Sequence, residues 1–140
     1  MPLFATARSI PGTLRQEVLV DGRFRLTTDE PVHLGGDDTA PAPHELLPAA
    51  LAACVSTTLS TYARTKGWEL GQVTVDVEYD HRATPRRLEL EIGIAGTLSA
   101  EQRARLEKVA AACPLRTSLE TGFVFAERFS WSLEDELAAA

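Results

Sequence analysis

Two cysteines, Cys54 and Cys113, are the residues of this 140-residue chain best suited to covalent chemistry. A thiol attacks only as its thiolate, whereas most free cysteines are small buried hydrophobes. Cys54 sits in "PHELLPAALAACVSTTLSTYA", residues 43–63, where small apolar neighbours favour the packing role. An acid, Glu45, stands nine residues before it. Cys113 is followed by Pro114, which breaks a helix and leaves amides free. The separation of 59 residues between the cysteines excludes a local CxxC motif but not contact in space.

Other chemistry finds less support. Two cysteines are too few for a structural zinc site without histidine help, and His33, His44 and His81 show no ligand spacing. "GGDDT", residues 35–39, lacks the lysine of a phosphate loop and the spacing of a calcium loop, so it reads as a turn. No nucleophile elbow marks a serine. Arg23 and Arg25 alternate on one strand face, the ordinary pattern of a solvated edge. No metal or bound cofactor is expected.

The elements that must carry the cysteines follow from periodicity. Residues 14–27 read as a hairpin: Val18 and Val20 alternate with polar neighbours, Asp21-Gly22 signals a tight turn, and Phe24 and Leu26 resume the alternation. An earlier strand falls within residues 2–9. "DEPVHLGGDDTAPAP" reads as a loop. Pro48 suits the first turn of a helix that runs to about Lys66 and stops at Gly67, which leaves Glu45 in a preceding turn. Strands at 72–80 and 88–94 flank the turn "HRATPRR". "SAEQ", residues 99–102, is a capping box that opens a helix through Ala112. A short helix ends near Gly122, and "FVFAERFSW" reads as a last strand with Phe123, Phe125, Phe129 and Trp131 on one side. The tail "SLEDELAAA" reads as a helical stub or a frayed end. This order predicts one α+β domain over residues 1–140.

Composition agrees with a folded protein: 44% of residues are hydrophobic and 24% charged. A formal net charge of −6 argues against nucleic acid or an anionic membrane as partner. No apolar run reaches the ~18 residues of a membrane span, and the N-terminus lacks the pattern of a signal peptide, so a cytoplasmic location is expected. Thiols there are normally reduced.

Read together, "TAPAPHELLPAALAACVSTTLSTYA" and the later "CPL" resemble the OsmC/Ohr family, osmotically inducible protein C and organic hydroperoxide resistance protein. The likeness runs from about Val18 to Phe129, and the loop at 29–43 is similar to an OsmC-like branch. The resemblance implies an α+β homodimer whose antiparallel strands, drawn from both subunits, wrap long central cysteine-bearing helices. It implies a peroxidase in which Cys54 attacks organic hydroperoxides, becomes a sulfenic acid and is resolved by Cys113 to a disulfide. Glu45 would hold an arginine against the thiolate, and an external dithiol of the lipoyl type would be the reductant. Arg25 is preferred as that arginine, with Arg23 equivalent by alternation and Arg8 and Arg15 as outsiders. The alternative is a dimer that binds a lipophilic small molecule or senses redox state without turnover.

Overall fold

The computed structural model describes residues 2–132. Three strands come first: β1 (Ala5–Ser9), β2 (Gln16–Val20) and β3 (Phe24–Thr28), joined as an antiparallel meander in the order β1-β2-β3. The β2–β3 hairpin turns where Asp21 and Gly22 both take positive φ, the conformation that an Asp-Gly pair tolerates best. The expected hairpin is thus present, with Val20 opposite Phe24.

The loop after β3 is built on Asp29. Its carboxylate accepts from the amides of Glu30 (2.8 Å) and Thr39 (3.1 Å) and from the Thr39 hydroxyl (2.6 Å). That closes ten residues onto one acid. Gly36 passes so close to the Glu30 carbonyl that a Cβ there would collide with it. Only glycine fits this crossing.

A 3-10 turn at Pro43–Glu45 then leads into α1 (Leu46–Lys66), which ends at Gly67 in the left-handed conformation. Pro48 lies in the first turn of α1, where its missing N–H leaves no intrahelical bond broken. From Pro43 to Lys66 the helical segment is long and apolar enough to cross a membrane by length and composition, although no apolar run of that length was expected. In this fold one face of it is core: Leu51, Val55, Leu59 and Ala63 are buried at steps of four.

Against that face pack β4 (Val73–Asp80), α2 (Ala100–Ala111) and α3 (Pro114–Thr121). β4 pairs antiparallel with β5 (Arg87–Ile94), and Val73, Val75 and Val77 of β4 turn to the helix. Ser99 and Gln102 cap α2 reciprocally, as "SAEQ" predicts. Leu70, Leu98, Leu106, Ala110 and Cys113 complete the core.

One expectation meets a different outcome. "FVFAERFSW" forms no strand within the described chain, because a strand needs a neighbour to take its hydrogen bonds and no edge of either sheet pairs with it. Its Phe125 is 81% exposed. The tail from 133 onward lies outside the described residues. The β1–β3 sheet has no extensive packing on the helices, and Phe4, Phe24, Val32 and Leu34 around it are exposed.

Candidate active site

The fold brings the two cysteines together. Their sulfurs lie 3.0 Å apart, and both are free thiols. Cys54 comes from the third turn of α1 and is half-buried, while Cys113 is 0% exposed. Pro114 explains the second placement. A proline disfavours helical backbone in the residue before it, so α2 ends at Ala111 with Ala112 as its C-cap, and Cys113 turns extended (φ −52°, ψ 127°) as the N-cap of α3. That turn aims its side chain at α1.

Among the described residues no arginine is held against this pair. Arg25 pairs with Glu17 at 2.7 Å and is 76% exposed. Arg23 pairs with Asp21 at 3.1 Å and stacks over Phe24. Glu45 is exposed, and its carboxylate accepts from the Ala42 amide at 3.0 Å, which locks the 3-10 turn that precedes α1. The three residues expected beside Cys54 therefore sit elsewhere in the protomer, each with a partner of its own.

Helix amides and a hydroxyl surround the sulfurs instead. The Thr58 hydroxyl donates to the Cys54 carbonyl oxygen at 2.8 Å and also faces both sulfurs. The Leu115 amide faces both as well, and the Arg116 amide faces Cys113. Burial pushes the Cys113 thiol up most strongly. The Arg116 amide, the Cys54 thiol, the Leu115 amide and Thr58 together outweigh it and bring Cys113 below the ordinary thiol range. Cys54 moves the other way, raised first by its hydrogen bond to Cys113 and then by burial. Within one chain the first negative charge thus settles on the hidden sulfur, and Cys54 donates its proton toward it.

Two signals escaped sequence reasoning. Thr58 lies one helical turn after Cys54, so i, i+4 spacing from a thiol was a legible cue. Arg15 was set aside, yet its Nε is buried without a hydrogen-bond partner among the described residues. Gln16 pairs with Thr28 in the ladder, so Arg15 sits at the end of β3, where the Thr28 hydroxyl is buried and equally unpartnered. No sequence cue identifies an arginine by its lack of a partner.

A cavity of about 620 Å³ opens between β5, α2 and α3, with Leu51, Leu88, Leu90 and Leu119 among its walls and Arg86 and Arg116 beside them. Among the described residues no cluster of three or more metal-ligating side chains occurs.

Comparison with known proteins fits this geometry. The sequence profile of the OsmC-like protein family matches residues 35–127, which contain both cysteines, Thr58 and Glu45. No curated protein matches the chain. Among solved structures, the organic hydroperoxide resistance protein OsmC of Legionella pneumophila is 27% identical, with a TM-score of 0.59 over 84% of this chain and 88% of that one. An organic hydroperoxide resistance protein from Elizabethkingia anophelis is 26% identical, with a TM-score of 0.60 over 84% and 86%. An OsmC-like protein from Mycoplasma pneumoniae, 21% identical, shares the fold with a TM-score of 0.65 over 86% and 88%. With its profile match spanning most of the chain and its α+β fold shared with these structures, the protein belongs to the OsmC-like family.

Proposed function

We propose that the protein is a homodimeric thiol peroxidase that reduces organic hydroperoxides. The observation that carries this reading is the thiol pair itself: two free sulfurs 3.0 Å apart, one half-exposed and one fully buried. The Cys54 thiolate attacks an oxygen of the O–O bond. That bond breaks, the alkoxide leaves as an alcohol after taking a proton, and Cys54 becomes a sulfenic acid. The Cys113 thiolate then attacks the sulfenic sulfur; an S–S bond forms and hydroxide leaves as water. An external dithiol of the lipoyl type restores both thiols by two successive exchanges and departs as its own disulfide.

The first step needs the charge on Cys54, whereas an isolated chain prefers it on Cys113. A cation beside Cys54 reverses that preference. We assign the role to Arg15 in place of Arg25 or Arg23, because those two are already neutralised by Glu17 and Asp21. Since the β1–β3 sheet has no extensive packing on α1 within one chain, the arginine would come to the thiols through assembly of two subunits, with Glu45 near the join. The exposed small residues Ala49, Ala53 and Thr57 on the free face of α1 suit close packing against a second copy. Hydroperoxide resistance named for the Legionella and Elizabethkingia proteins supports the substrate class. Keeping two thiols reduced between turnovers suits a cytoplasmic setting.

Consumption of cumene hydroperoxide with dihydrolipoamide as reductant tests the reading. Cys54→Ser should abolish turnover, and Cys113→Ser should leave one oxidation event per site. Turnover by Cys54→Ser equal to the parent's would overturn it. The leucine-lined cavity favours a second reading, a dimer that binds a lipophilic molecule or senses redox state without turnover. That reading requires an apolar ligand to co-purify and no dithiol to sustain peroxide consumption.

A further inference from the structure

We propose that Thr58 is a positioning residue of the dithiol, its hydroxyl turning from the Cys54 carbonyl to the sulfur pair when a thiol ionises. The inference rests on the reading of the pair as redox-active and adds to it a residue that acts through the sulfurs. Its footing is geometric. Thr58 stands one turn after Cys54 on the same face of α1, its Oγ1 is 2.8 Å from the Cys54 carbonyl oxygen, and it is half-buried. The sulfurs are 3.0 Å apart and Cys113 has no solvent access, so water cannot supply a donor to that sulfur.

A hydroxyl holds one proton and rotates. In the dithiol form the proton rests on the Cys54 carbonyl, as a supplement to that carbonyl's ordinary helical bond. Releasing it leaves the carbonyl still paired within the helix, so the rotation exposes no orphan group. A thiolate is the stronger acceptor and draws the proton over. The Leu115 and Arg116 amides also meet the sulfurs, but helix α3 fixes them in place. Thr58 is the donor that can follow the charge from Cys113 to Cys54.

The charged groups on the elements packed against α1 are turned elsewhere. Arg116 of α3 is held by Glu120 at 2.9 Å, and Arg105 of α2 donates to the Tyr62 hydroxyl at 2.9 Å. Glu45 of the 3-10 turn caps Ala42, and Asp76, Glu78 and Asp80 of β4 lie on its exposed face. The titration of the pair therefore reports chiefly on the two thiols and their uncharged donors.

Thiolate absorbance near 240 nm, followed against pH on the reduced full-length protein, tests this without reference to turnover. Thr58→Val keeps the shape and removes the proton; Thr58→Ser keeps the proton. In Thr58→Val the first ionisation should move to higher pH, and alkylation by iodoacetamide at pH 7 should slow by about three- to tenfold. Thr58→Ser should restore most of both. Should Thr58→Val fail to fold by circular dichroism, Thr58→Ala replaces it with the same expectation. A first ionisation unmoved in the valine or alanine variant, or a serine variant that behaves like valine, overturns the proposal. Because thiolate formation is read directly, a parent protein inactive toward peroxides would sink the peroxidase reading while leaving this test intact.

Discussion

At Cys54 and Cys113 accessibility and acidity are divided between two atoms. Cys54 is the half-buried residue of the pair, while the α3 amides, working against burial, gather charge on the buried Cys113. A partnered arginine is a poor candidate to correct this, since its carboxylate must first be displaced. Arg15→Ala should therefore lower peroxide turnover by about a hundredfold, the scale of losing one charge-stabilising group. Arg25→Ala should change it less than about threefold, and parallel steady-state assays of the two variants decide between them. The cysteines were legible in the sequence because a residue type and one proline announced them. The arginine was not. Alternation placed Arg25 on a strand, but Arg23 falls in the turn before β3, and alternation says nothing of Glu17, which comes diagonally within reach of Arg25 only once the ladder's register is set.

Among the elements, the loop from Asp29 to Thr39 has the sharpest pH signature. The Thr39 hydroxyl, chief among its partners, draws the Asp29 carboxyl down to about 2 from 3.8; burial opposes this, and the amides of Glu30, Thr39 and Asp37 add to it. A lowered carboxyl pKa means that the ionised form stabilises the fold. The contribution is whole above the ordinary value of 3.8 and fades as pH falls through about 2. Thermal melts between pH 2 and 5 should show the parent losing stability more steeply than Asp29→Asn; equal slopes would exclude the role. The sequence identified this segment as a loop from its prolines and glycines, yet gave no hint that one acid organises it. Such a network depends on backbone amides brought round by the Gly36 crossing. Helix ends fared better, because the Ser99–Gln102 box, Pro48 and Gly67 act within a single turn.

For the whole molecule, the aromatic segment after Gly122 is the plainest sign of an unfinished surface. Phe123, Phe125, Phe129 and Trp131 alternate like a buried strand and yet stand exposed. The sequence encodes a strand whose edge the chain alone does not provide, which is why periodicity and structure part company there. Sedimentation of the full chain should report a dimer, and deletion after Gly122 should yield a monomer with little peroxide turnover. A stable, active dimer of the shortened chain would refute the role given to this segment. The siting of the first charge on a sulfur with no solvent access has a bearing on the life of a newly made chain. In the single chain the electron-rich sulfur is shut inside the core, and the half-buried one is the weaker acid. Such a chain would be a quiet thiol, slow toward stray electrophiles, whose specific activity climbs with concentration as copies meet.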